Sequence, residues 1–117
     1  MITRSSASSN LFVYGTLTDK HLVYQLTGKK FPTSSASLRD FERRIARSGY
    51  PYILPHSSSK VEGLLIRNLD PESLRRLDRY EDEGRLYFRK TIAVFSRGRQ
   101  VACETYVGNR RLLEPGG

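Results

Sequence analysis

Short apolar runs alternate with two helical stripes along this chain. Leu11 to Tyr14 is apolar, half β-branched or aromatic, and stops at Gly15, which predicts a buried strand ended by a tight turn. Thr18 then suits a helix N-cap, with Asp19 in the first turn. Leu22, Val23 and Leu26 form an apolar stripe, and Gly28 stands as the C-cap. Asp70-Pro71 opens a second helix by the same logic, cap first and proline at the first helical position. Its stripe runs Leu74, Leu77, Glu81. Further strands are expected at Val61–Leu69, Tyr87–Phe95 and Gln100–Val107, with Arg97-Gly98 as the hairpin turn between the last two. The stretch Ser37 to Ile45 reads two ways. Its apolar residues at 38, 41 and 45 have helical spacing, with Ser37 as a cap and Gly49 as a stop, and a strand is the alternative.

The ends differ from the middle. Residues 1–9 are Ser-rich and read as a flexible leader with no apolar signal core. Residues 110–117 end in Pro-Gly-Gly and read as a loose C-terminal tail. Residues 10–109 remain as one continuous domain without repeats, and the full 117 residues are too few for two. No apolar run approaches the roughly 20 residues of a membrane-spanning helix. A single cysteine, Cys103, excludes an intrachain disulfide framework and a multi-cysteine zinc site, and points to a reducing, cytoplasmic setting.

Charge adds a question about partners. Lysine and arginine total 20 against 12 acids, a net charge of +8, and fifteen of the cations are arginine. Such a balance favours anionic partners without choosing among nucleic acid, membrane and small acids. The arginines are dispersed rather than blocked, and no nucleic-acid motif is present, so a solvated cationic surface is the default.

Familiar catalytic signatures are missing: no phosphate-binding glycine loop, no HExxH, no GxSxG. His21 and His56 are isolated, and Cys103 reads as a small buried hydrophobe. Two features stand out. The turn Tyr14-Gly15-Thr16-Leu17 lies between a strand end and a helix start, where successive backbone N–H groups can converge on a carboxylate or oxyanion; an ordinary strand-to-helix turn is the alternative. Gly15 there lets a ligand approach the backbone closely. Glu81 shares the inward face of Leu74 and Leu77 if the helix runs that far, and burial, the helix C-terminus and the neighbouring Asp82 and Glu83 would then all push its pKa up. A helix that frays earlier, leaving the three acids solvated, is the alternative. Tyrosines 50, 52, 80, 87 and 106 cluster in sequence around the same acidic stretch and offer phenols to a polar ligand.

The ordered strings LFVYGTL, SGYPYILP, VEGLLIRNLDPESLRRLDRYE, LYFRKTIAVF and ETYVGN resemble the gamma-glutamylcyclotransferase-like superfamily, from about Asn10 to Asn109. The resemblance implies an α+β fold: a small mixed β-barrel with flanking helices, in which the Leu38–Ile45 region is a strand. It also implies a pocket lined by Tyr14, Gly15, Thr16 and Leu17, with Tyr87 and Tyr106 beside it and Glu81 as the essential acid. The activity implied is intramolecular release of 5-oxoproline from a small γ-glutamyl substrate, without cofactor or metal. Two departures from the family pattern stand in this chain. Asp82 occupies a position usually held by glycine, which makes Glu83, before Gly84, the alternative acid, and Cys103 replaces a common alanine. A noncatalytic binder of a small carboxylated ligand is the first rival reading, and a basic nucleic-acid module the second.

Overall fold

The computed structural model describes residues 8–114. The leader assigned to residues 1–9 falls largely outside them, and Ser9 already belongs to the first strand. Five strands close into a barrel in the order β1-β3-β2-β4-β5: β1 Ser9–Val13, β2 Thr33–Ile45, β3 Pro51–Leu69, β4 Tyr87–Ser96 and β5 Arg99–Gly108. Neighbours run antiparallel except β1 and β5, which pair in parallel through Leu11↔Glu104 and Phe12↔Thr105. Closure between β2 and β4 is thin. It rests on Ser37↔Phe95, with Ser34 Oγ 2.9 Å from Ser96 Oγ and Ser96 Oγ donating to Ser35 O at 2.7 Å.

Alternation along the strands sorts side chains into two apolar layers. Phe12, Leu38, Ile53, Val61, Leu65, Val94 and Cys103 fill the barrel, all buried. Their strand neighbours Leu11, Val13, Tyr52, Leu54 and Ile66 face outward and are covered by helices α1 (Lys20–Thr27), α2 (Pro71–Glu81) and α3 (Arg110–Leu113) through Val23, Leu74, Leu77 and Leu113. No helix among the described residues is long and apolar enough to cross a membrane.

Residues 37–45 are strand, and the helical spacing has a local cause. Ser34, Ala36 and Leu38 are buried at strand period, then Asp40 takes a left-handed φ of 66° and the register with β3 slips between Arg39 and Phe41. A bulge adds one residue, so Leu38 and Phe41 land on the same side, three apart. Strand β3 starts ten residues before the expected Val61. Two prolines and the run Ser57-Ser58-Ser59 hide it in sequence, yet Tyr52, Ile53 and Leu54 are buried and pair with β2. The cap of α1 is one residue later than expected. Asp19 accepts from His21 N at 2.9 Å, while the Thr18 hydroxyl donates to Gly15 O at 2.6 Å within a single 3-10 turn, Thr16–Thr18. Gly28, at φ 75°, closes α1 as its spacing predicts.

The start of the expected tail is ordered. Asn109 caps α3, Leu113 is buried, and the Glu114 carboxylate accepts from Tyr52 Oη, from Arg44 at 2.6 Å and from Arg110 at 3.1 Å. Three donors and one apolar anchor outweigh the composition of this segment.

Candidate active site

Strand β1 delivers the Tyr14–Leu17 turn to one end of the barrel, and α2 ends opposite it. Asp70 starts α2 by accepting from Ser73 N at 3.1 Å, with Pro71 at the first helical position. Leu74 and Leu77 pack inward, and the same face carries Glu81 into a cavity of about 360 Å³. The turn, Glu81, Tyr87 and Tyr106 all line that cavity, together with Tyr50 and Tyr80, whereas Tyr52 and Glu83 do not.

Glu81 accepts no hydrogen bond from the described residues, and burial pushes its carboxyl up to about 7. Burial is the whole cause. The acidic neighbours thought to help are engaged elsewhere: Asp82 with Arg85 at 2.5 Å, Glu83 with the backbone N–H of Arg89 at 3.1 Å. Glu83 is exposed and does not line the cavity, which separates the two carboxylates named as alternatives. Asp82 itself takes φ 58°, ψ 48° as the α2 C-cap. That is a left-handed position where glycine is easiest and aspartate is tolerated, which accounts for the departure at this place.

The turn lines the same cavity as Glu81. Leu17 sends its side chain into the core, and Tyr80 Oη donates to Thr16 Oγ1 at 3.0 Å, tying the turn to α2. Among the described residues, none accepts a hydrogen bond from the amides of Gly15, Thr16 or Leu17. Gly15 is required by a protein neighbour rather than by a ligand alone: a Cβ there would lie 2.7 Å from Pro51 Cγ.

Three phenols complete the wall. Tyr14 Oη donates to Tyr106 O at 2.5 Å, Tyr87 Oη to Pro51 O at 2.6 Å, and Tyr106 Oη to Asp78 Oδ1 at 2.7 Å. Burial, more than any other cause, holds all three above the ordinary tyrosine range. Asp78 also pairs with Arg89, whose Nε lies 3.3 Å from Glu104 Oε2 without the alignment of a hydrogen bond. Of the other tyrosines, Tyr50 stands exposed at the cavity mouth and Tyr52 bonds Glu114 away from it.

Reading the sequence missed Pro51, Leu112 and Leu113, which also line the cavity, and the anchoring role of Asp78. Asp78 was visible inside VEGLLIRNLDPESLRRLDRYE, three residues before Glu81, and Pro51 inside SGYPYILP. No signal in residues 110–113 marks them as cavity wall. Cys103 is buried and its thiol is pushed up to about 12 by burial, as suits a packing residue. His21 and His56 are exposed.

Comparison with known proteins gives the family and the fold. Residues 11–116 match the family model described as gamma-glutamyl cyclotransferase, AIG2-like. AIG2-like protein C of Arabidopsis thaliana is 36% identical over 104 residues, covering 86% of this chain. The chain spans 59% of that relative's length. An Arabidopsis thaliana protein of known solution structure, 29% identical, superimposes with a TM-score of 0.79 over 93% of this chain and 70% of that one. A gamma-glutamyl cyclotransferase structure, 18% identical, gives a TM-score of 0.76 over 88% of this chain and 68% of its own, a likeness of fold. The chain belongs to the gamma-glutamyl cyclotransferase, AIG2-like family.

Proposed function

We propose that this protein is a γ-glutamylcyclotransferase acting on a small γ-glutamyl amino acid or amine, with Glu81 as its general acid and base. The observation behind the reading is a carboxyl, poised at about 7, in the same cavity as a turn with three amides, all without a hydrogen-bond partner among the described residues. A group with that pKa is divided near neutral pH between a form that takes a proton and a form that gives one.

The chemistry is a ring closure. Glu81 takes a proton from the substrate's α-ammonium, and the freed amine attacks the γ-carbonyl carbon. A C–N bond forms and the carbonyl electron pair moves onto oxygen. The intermediate then collapses, the bond to the departing nitrogen breaks, and Glu81 returns its proton to that nitrogen. At neutral pH the attacking nitrogen loses two protons over the cycle and the departing amine gains two, so Glu81 ends as it began. The Gly15–Leu17 amides hold the α-carboxylate or the developing oxyanion. Holding the chain of the substrate in its folded shape supplies further rate.

Incubation with γ-glutamyl dipeptides and γ-glutamyl amines is expected to yield 5-oxoproline in stoichiometric amount with free amine. Glu81→Gln keeps the fold and loses the product by at least about 100-fold. A fully active Glu81→Gln protein would exclude Glu81 as the proton carrier. Saturable binding with no product from any γ-glutamyl compound would leave the noncatalytic reading instead.

A further inference from the structure

Three phenols deep in the cavity wall, those of Tyr14, Tyr87 and Tyr106, each spend their proton on a protein acceptor. Tyr14 gives its own to Tyr106 O, Tyr87 to Pro51 O, and Tyr106 to Asp78 Oδ1. A hydroxyl has one proton and two lone pairs, so a phenol committed as a donor is left as an acceptor toward whatever else it meets. The wall beside Glu81 therefore offers acceptors, while the opposite turn offers main-chain donors. Two of the three phenols are oriented by backbone carbonyls, which side-chain replacement does not touch. Tyr106 alone is oriented by a side chain.

That side chain is held with care. Asp78 sits one turn before Glu81 on α2, with one oxygen on Tyr106 and the other on Arg89. Glu104 backs the guanidinium from β5 at 3.3 Å. Burial keeps Tyr106 protonated, so its proton remains on the Asp78 side.

We propose that Asp78 is a positioning residue which, by accepting the hydrogen bond from the Tyr106 hydroxyl, turns that phenol into an acceptor for the α-ammonium of the ligand. The ligand class follows: a carboxylate that also carries a free ammonium, in preference to the same molecule without it. This inference rests on the γ-glutamyl reading for its choice of ligand, but it concerns binding and does not require turnover.

The test is calorimetric titration with L-glutamine, the smallest γ-glutamyl amide, and with glutaramic acid, which differs only in lacking the α-amine. Wild-type protein is expected to prefer L-glutamine by at least about tenfold, as a charge-assisted hydrogen bond allows. Tyr106→Phe, which deletes one oxygen, and Asp78→Ala, which frees the phenol proton, both reduce the preference to under about threefold. Affinity for glutaramic acid changes little in either. Asp78→Asn, which keeps an oxygen for the phenol, recovers most of the preference; a general loss of structure would not be selective for one ligand and not rescued this way. The proposal is overturned by a preference that survives in Tyr106→Phe, or by wild-type protein that does not discriminate. Should Asp78→Ala fail to fold, Tyr106→Phe and Asp78→Asn still decide the matter. A protein that shows the preference and its loss, yet forms no 5-oxoproline, retains this inference and loses the enzymatic one. Product formed with the preference intact in both variants does the reverse.

Discussion

Glu81 occupies a place where the neutral carboxyl is the more comfortable form, and the protein carries the cost of its ionisation. An unfolded chain holds this group near 4.5, whereas the native one holds it near 7. Between those values the native state binds more protons than the unfolded state, so this group's contribution to stability falls as pH rises from about 4.5 to about 7. Glu81→Gln removes the titration. The variant is expected to gain up to about 2 kcal/mol over wild type at pH 8, after discounting for partial exposure, and nothing at pH 4. Urea unfolding at the two pH values checks this, and an equal difference at both would show that the carboxyl is not desolvated. Sequence made Glu81 visible because 74, 77 and 81 share a helical face. It could not show that Asp82 and Glu83 turn away to Arg85 and to β4, since that depends on where the chain goes after the helix ends.

At the level of elements, the join between α2 and β4 decides where that carboxyl points. Asp82 stops the helix in a left-handed conformation, and Glu83 N and Asp82 N return to the carbonyls of Asp78 and Arg79 at 2.9 and 3.2 Å. Asp82→Gly is expected to hold or raise the unfolding free energy by up to about 1 kcal/mol, since the exposed bridge to Arg85 contributes little. Asp82→Val lowers it by about 1–2 kcal/mol through steric cost in the same conformation. Thermal unfolding of both variants distinguishes a left-handed cap from an ordinary loop, in which the valine would be harmless. The elements most legible in sequence were those with local caps and stripes, as at Asp70-Pro71 and Gly28. β2 was obscured because one bulged residue, Asp40, converts a strand's period into a helix-like spacing. The first half of β3 was obscured because Pro51 and Pro55 are tolerated only through its particular pairing.

Over the whole molecule, the site depends on a closing contact far along the chain. Helix α3 places Leu112 and Leu113 on the cavity, and Glu114 fastens it to Tyr52 on β3 and Arg44 on β2. These partners draw the Glu114 carboxyl down to about 2, so its contribution is complete above about 4.5 and is lost as pH falls toward 2. Glu114→Gln is expected to speed hydrogen exchange at the amides of Leu112 and Leu113, which bond Asn109 O at 3.1 and 2.9 Å, while leaving barrel amides protected. Unchanged exchange at those two amides would mean that Leu113 packing alone holds α3. Composition hid this fastening, because the short run before Pro-Gly-Gly has no periodicity and its partners lie in strands about 60 and 70 residues away.

The parallel seam between β1 and β5 has a temporal consequence. The turn that faces Glu81 hangs from β1, and β1 is flanked on one side by a strand that ends at Gly108. A chain emerging from the ribosome thus holds its Tyr14–Leu17 segment without that neighbour until Glu104 and Thr105 have followed. The cavity shared by Glu81 and the turn reaches its final form only after Gly108 has been added, so translation products stopped before β5 lack that seam.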